Sequence, residues 1–121
     1  IGLTSIIDID RIFYLNQRVG HIILKPKLAD TDFIFYLSQN SYWRNQCKAF
    51  ATLGVQANLG TNDIKNINIK LPPIEEQTAI AAILASADRE LTLQKEKLAQ
   101  LQQQKKGLMQ VLLTGKKRLI N

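Results

Sequence analysis

The stretch LPPIEEQTAIAAIL, residues 71–84, joins two segments with different hydrophobic periods and decides the predicted fold. Upstream of it, residues 66–71 alternate polar and apolar side chains, the period of a strand with one buried face. Pro72 has no N–H for a sheet ladder, whereas Pro73 suits the first turn of a helix. Glu75 and Glu76 then place negative charge where a helix N-terminus stabilises it. The junction therefore predicts a change from strand to helix.

A heptad repeat follows the junction. Its core positions alternate spacings of 3 and 4 residues, which is the pattern of a coiled coil. They define a surface that we call the heptad face: Leu84, Ala87, Leu91, Gln94, Leu98, Leu101, Lys105, Leu108 and Leu112. The pattern predicts one helix from Ile74 to about Thr114, stopped by Gly115, with a length of roughly 60 Å at ~1.5 Å per residue.

A helix of this length needs a partner. The 73 residues before it are too few to cover its apolar face, and helical propensity alone leaves it marginally stable. We expect it to pair with a second copy or with a part of its own chain that is missing from this sequence. Gln94 and Lys105 interrupt the heptad face. Either they exclude registers that would bury them unpaired, or they face solvent where a partner is absent.

The segment before the helix predicts a small mixed domain. Residues 19–24 form an apolar run of strand length, ended by Lys25-Pro26. Thr31 can cap a helix over residues 32–50, and residues 58–66 have the composition of loops and turns. The predicted fold class is therefore α+β. It has a partial domain over residues 1–73, a long coiled-coil helix over residues 74–115 and a basic tail over residues 116–121.

Composition excludes several classes of function. One cysteine and one histidine leave neither a disulfide framework nor a zinc cluster, and both Cys47 and His21 are better explained as structural residues. The sequence shows no phosphate loop and no acid–base pair. No apolar run reaches the ~18 residues of a membrane span. We expect a non-catalytic, cytoplasmic chain without a metal or cofactor of its own. Because it begins at Ile1 without methionine, we expect a fragment.

The charge distribution suits a partner that carries phosphates. The net charge is +6, and six basic residues and no acid follow from Lys97 to the end of the chain. Arg, Asn and Gln read base edges, and Lys mostly contacts phosphates, although an ordinary polar surface explains the same residues equally well. The predicted DNA-binding residues are Asn16, Gln17, Arg18, Arg44, Gln46, Lys48, Gln56, Asn58 and Asn62.

Two motifs resemble the C-terminal end of the specificity subunits of type I restriction-modification systems. They are LPPIEEQTAIAAILASADREL and LAQLQQQKKGLMQVLLTGKKRL. The first matches the family pattern at Leu71, Pro72, Pro73, Glu76 and Gln77. The second matches it at Leu108, Met109, Gln110, Leu112, Leu113, Thr114, Gly115, Lys116 and Arg118. The segments NQRVGHIILKP and LGVQANLGTNDIKNINIKLP are also similar, so that the resemblance covers about residues 16–118.

The resemblance implies a DNA-reading subunit without enzymatic activity of its own. Family members carry two recognition domains that read the halves of a split DNA target, separated by two antiparallel spacer helices. The helices hold methylation subunits, which modify adenine, and the complex can recruit a restriction subunit. S-adenosylmethionine, magnesium and ATP would then belong to those partners. The implied partners are double-stranded DNA, both subunits and a second copy. The alternative is an interaction module that oligomerises through its coiled coil without DNA specificity.

Overall fold

A computed structural model describes residues 2–51 and 59–120 of the chain. Within these residues the helices are α1 (Thr31–Gln39), α2 (Ser41–Phe50), α3 (Thr61–Lys65) and α4 (Ile74–Leu113). The chain divides into two compact units, Ile1–Ala82 and Ile83–Asn121. The first unit contains α1, α2, α3 and the start of α4, and the second contains the rest of α4.

The predicted α+β class is wrong. The described residues contain helices but no β-strand, and both segments predicted as strands, residues 19–24 and 66–71, lie outside the helices. The one-sided pattern of the second segment is visible over residues 67–70, because Ile67 and Ile69 are half-buried whereas Asn68 and Lys70 are exposed, but it does not extend to Leu71, which is 40% exposed. Alternation predicts which face is buried, but a strand also needs a neighbouring strand. The described part of the chain supplies no such neighbour.

The helix predicted over residues 32–50 is in fact two helices that meet at Asn40. The Asn40 backbone N–H donates to the Leu37 carbonyl at 3.1 Å and ends α1, while its side chain accepts the Tyr42 N–H at 3.0 Å and begins α2. Asp30, rather than Thr31, caps α1 by accepting the Phe33 N–H at 2.9 Å. Asn and Asp side chains compete with the backbone for such hydrogen bonds, which favours them at helix starts.

The short helix α3 lies where only loops and turns were predicted. The Asp63 side chain accepts the Gly60 N–H at 2.8 Å, and the backbone N–H of Ile64 donates to the Gly60 carbonyl at 3.1 Å. An acid three residues after a helix-capping position is a recognised start signal. The sequence around Gly60 therefore contained the information for this turn of helix.

The core of the first unit is small. Its buried hydrophobic residues are Phe33, Trp43, Cys47, Ala51 and Ala81. The start of the chain is attached to α1 and α2 by side chains, because the Trp43 indole N–H donates to the Gly2 carbonyl at 3.1 Å and the Gln39 amide donates to the Thr4 hydroxyl at 3.1 Å. Gly2 therefore lies directly against the core.

Gly2→Ala should destabilise the first unit by about 1–3 kcal/mol, because it combines backbone strain with overpacking. Gly2 has a φ of +74°, and a Cβ atom there would lie 2.9 Å from the Cys47 sulfur. Urea unfolding followed by Trp43 fluorescence measures the loss. Gly20→Ala is the matched control, since an added Cβ meets nothing within 4 Å. If Gly2→Ala and Gly20→Ala were equally stable, the close packing of Gly2 against Cys47 would be contradicted.

The two ends of α4 agree with their sequence signals. The Pro73 carbonyl accepts the N–H groups of Glu76 and Gln77, both at 3.0 Å, and the first turn carries Glu75 and Glu76. At the other end Gly115 has a φ of +72°, and its N–H donates to the Leu112 carbonyl at 3.3 Å. A left-handed glycine is a common helix stop. The predicted helix and its glycine stop are therefore confirmed.

Candidate DNA interface and helix-pairing face

Gln77, in the first turn of α4, is fully buried at 0% exposure and makes three hydrogen bonds to the main chain. Its Oε1 accepts the Asp30 N–H at 3.0 Å, and its Nε2 donates to the carbonyls of Leu28 at 3.0 Å and Pro72 at 2.8 Å. The Thr78 hydroxyl donates to Asp30 Oδ2 at 3.1 Å. We call Gln77, Thr78 and Asp30 the Gln77 cluster. Because Asp30 also caps α1, the cluster joins the starts of α1 and α4.

Sequence reasoning missed the role of this cluster. Gln77 was recognised only as a motif residue, and its partners Asp30 and Leu28 lie 47 and 49 residues away along the chain. Hydrophobic periodicity carries no information about such a distant polar contact. The available signal was an uncharged glutamine directly after Glu75 and Glu76 at the start of the helix. A glutamine amide can be buried there because it can bond both N–H groups and carbonyl groups of the main chain.

Among the candidate DNA-binding residues on α2, Arg44 and Lys48 share one exposed face. They are four residues apart, the spacing that makes side chains neighbours on a helix. Gln46 lies on a different side of α2 from this pair and is half-exposed. Its amide donates to the Tyr42 hydroxyl at 2.8 Å. That hydroxyl in turn donates to the Asn68 carbonyl at 3.2 Å. Arg44 and Lys48 thus form a basic pair, whereas Gln46 has a structural bond.

Asn16, Gln17 and Arg18 lie in an exposed turn. The Asn16 side chain accepts the Arg18 N–H at 2.9 Å, and the main-chain carbonyl of Asn16 accepts the Val19 N–H at 3.1 Å. This is the local bonding by which asparagine shapes a turn. Asn62 is exposed on α3, while Gln56 and Asn58 lie outside the described residues. Contact of these side chains with DNA stays a prediction.

All nine residues of the heptad face lie in the second unit, and all nine are exposed. Leu98, near the middle of the face, is 56% exposed. One polar member is already engaged on its own helix, since the Gln94 amide donates to Glu90 Oε1 at 2.7 Å. A row of exposed leucines, broken here by Ala87, Gln94 and Lys105, is the arrangement expected of a helix whose partner lies outside the monomer. The pairing itself stays a prediction.

The described residues offer little for catalysis. Burial raises the pKa of the Cys47 thiol above its usual range, which keeps it protonated and a poor nucleophile at neutral pH. Within residues 2–51 and 59–120, no three His, Cys, Asp or Glu side chains converge as a metal site would require. Over the same ranges, every helix is too short or too polar to span a lipid bilayer.

Sequence comparison defines the class of protein. The profile of the family described as type I restriction modification DNA specificity domain matches residues 1–103. The chain belongs to this family, and the predicted relation to type I specificity subunits is confirmed.

Two curated relatives come from Methanocaldococcus jannaschii. The chain is 37% identical over 114 residues to the type I restriction enzyme MjaVIII specificity subunit, which covers 94% of this chain and 27% of that protein. It is 34% identical over 105 residues to the putative type I restriction enzyme MjaX specificity subunit, covering 87% and 24%. The chain therefore spans about a quarter of the length of these relatives. No solved structure is significantly similar to it.

Proposed function

We propose that this chain is a DNA-recognition part of a type I specificity subunit, which directs adenine methylation and restriction to a split DNA target. The observation that carries the proposal is the family match over residues 1–103. The match includes the first unit, with the candidate base-reading side chains, and the first part of the heptad face. The chain would contribute recognition and assembly, whereas partner subunits would contribute S-adenosylmethionine, magnesium and ATP chemistry.

Charge is divided unequally between the two units. Residues 1–82 hold eight basic and seven acidic side chains, whereas residues 83–121 hold eight basic and only three acidic ones. Attraction to phosphates at a distance depends on net charge, whereas base reading depends on a few positioned side chains. We infer that the first unit would read bases and that the second would supply most of the electrostatic attraction to DNA.

Co-purification with a cognate methylation subunit tests the proposal. The chain should form a stable complex with that subunit, and the complex should methylate adenine in duplex DNA only when both proteins are present. An interaction module without DNA specificity would self-associate and leave the methylation subunit unbound. That outcome would overturn the proposed function.

Replacing Arg44 and Lys48 together with glutamine should weaken non-specific binding to duplex DNA. Each lost phosphate contact should reduce the slope of log K against log salt by about 0.9, so the double variant should lose at most ~1.8. Fluorescence anisotropy with a labelled duplex at several salt concentrations measures the slope.

The control for this pair is Lys25→Gln with Lys27→Gln, which removes the same charge from another exposed segment of the first unit. The Lys25 and Lys27 double variant should change the salt slope less than the Arg44 and Lys48 double variant, because the slope depends on phosphate contacts and not on net charge alone. Equal slopes for the two double variants would remove Arg44 and Lys48 from the interface.

A further inference from the structure

One side of α2 carries polar side chains that the fold of the first unit leaves exposed. Each lies three or four residues from a neighbour on the same side of the helix, and together they define the α2 polar face: Ser41, Arg44, Asn45 and Lys48. The opposite side of α2 carries Trp43 and Cys47, which are buried. The helix thus packs on one side and presents the α2 polar face to solvent on the other.

The position of α2 is fixed by hydrogen bonds away from this face. The Trp43 indole N–H donates to the Gly2 carbonyl at 3.1 Å, and the Tyr42 hydroxyl donates to the Asn68 carbonyl at 3.2 Å. The Asn40 side chain accepts the Tyr42 N–H at 3.0 Å and caps the start of the helix. Side chains on a helix held in this way have a defined arrangement, which the reading of base edges requires.

The two side-chain amides in the middle of α2 differ in what they bind. The Gln46 amide is engaged with the Tyr42 hydroxyl at 2.8 Å. Asn45 is exposed, and its side chain makes no hydrogen bond to any residue that the structure describes. Ala49, one helical turn after Asn45, is exposed and small, so it does not shield the amide. Both the donor and the acceptor of Asn45 are therefore available to a partner.

Charge favours a nucleic acid as that partner. The sequence of α2 contains Arg44 and Lys48 and no acidic residue. At ~3.6 residues per turn, both cations lie on the same side of Asn45 around the helix axis. Phosphates can bind on that side while Asn45 reaches the bases. An acidic protein surface would also attract the cations, but carboxylates only accept hydrogen bonds, whereas the Asn45 amide presents a donor and an acceptor together.

The amide of asparagine matches one base in the major groove. Adenine presents N7 as an acceptor and its N6 amino group as a donor there, and an asparagine side chain can bond both at once. The helix α2 has 10 residues. A helix of this size is ~15 Å long at ~1.5 Å per residue, and the major groove, ~12 Å wide, admits an α-helix. The size and chemistry of α2 are therefore those of a helix that fits the groove.

We propose that α2 lies in the major groove of duplex DNA with the α2 polar face towards the bases, where Asn45 reads an adenine while Arg44 and Lys48 contact phosphates. The inference deepens the proposed function and rests on it, because it assigns base reading to one element of the first unit. It adds Asn45 to the candidate DNA interface and removes Gln46, which lies on another side of α2.

Selection from randomised duplexes tests this assignment. The chain is mixed at low salt with a pool of duplexes that contain a randomised segment, and the bound fraction is sequenced. The parent chain should enrich adenine at one position by about tenfold, the effect expected of one bidentate contact. Asn45→Ala should abolish that enrichment but leave the salt slope unchanged, since no charge is lost. The variant should fold as the parent does, because Asn45 is exposed and alanine is the better helix former.

A modified base tests the contact itself. 7-Deazaadenine lacks the N7 acceptor, so at the preferred position it should weaken binding of the parent chain several-fold and should not weaken Asn45→Ala further. Gln46→Ala is the matched control, because it removes the neighbouring amide from a different side of α2. This control should retain both the adenine preference and the sensitivity to 7-deazaadenine.

The proposal would be overturned if the parent chain enriched no adenine, if Asn45→Ala kept the enrichment, or if Gln46→Ala lost it equally. Weaker binding of Asn45→Ala to the methylation subunit, with an unchanged base preference, would assign the α2 polar face to a protein and overturn the proposal as well. Co-purification with the methylation subunit tests the proposed function separately. A chain that forms that complex but shows no adenine preference would retain the function and lose this assignment.

Discussion

Replacing Gln77 with leucine should lower the free energy of unfolding by about 3 kcal/mol. The substitution preserves the approximate size of the side chain but leaves the Asp30 N–H and the carbonyls of Leu28 and Pro72 without their partner. Each such group costs ~1–3 kcal/mol when it stays out of water. Leu28 is 60% exposed, so its carbonyl is expected to recover part of that loss by hydration.

Urea unfolding monitored at Trp43 measures this change, with Glu76→Gln as the control in the same turn of α4. Glu76 is exposed, so its loss should cost only the interaction with the helix N-terminus, below about 1 kcal/mol. Gln77→Glu should be worse than Gln77→Leu near neutral pH, because it buries a carboxylate against two carbonyl oxygens. Acidic pH should partly relieve it, since a protonated carboxyl can donate again. A Gln77→Leu variant within 0.5 kcal/mol of the parent, roughly the spread of surface substitutions, would contradict the account.

Leu98→Glu should reduce self-association of the chain by about a thousandfold or more. The residue lies in the middle of the heptad face, and each paired copy would have to bury a carboxylate at a cost of several kcal/mol. Leu101→Glu should act in the same way, because Leu101 is the next core position of the same heptad face.

Analytical ultracentrifugation over micromolar concentrations distinguishes monomer from dimer for these variants. Gln100→Glu is the matched control, because it introduces a carboxylate two residues from Leu98 on the outer side of the helix. The control should remain a dimer. An unchanged oligomeric state in Leu98→Glu or Leu101→Glu would refute the assigned heptad face.

The features that were predicted from sequence depend on neighbouring residues. The start of α4 follows from Pro73 and two acids within the same turn, and its stop follows from Gly115. Helical hydrogen bonds join residues four apart, so a local pattern contains most of the information needed. The division at Asn40 was equally local and was overlooked because a capping asparagine also fits, less well, inside a helix.

The features that were not predicted depend on distant residues. The alternation over residues 66–71 indicates a buried face, but pairing requires a second strand that the described residues do not provide. Burial of Gln77 requires carbonyl groups from distant segments, and no periodic pattern reports them. The candidate DNA-binding residues share this difficulty, because a base-reading surface is assembled from several loops.

The Gln77 cluster has a consequence for the order in which the chain acquires structure. Its bonds close a loop of 47 residues between Asp30 and Gln77, and closing a loop costs entropy before any contact compensates for it. Helical turns within α4 need no such closure and can form on the submicrosecond scale. We therefore expect a refolding chain to populate helical segments first, with the first unit locking into place in a later, slower step.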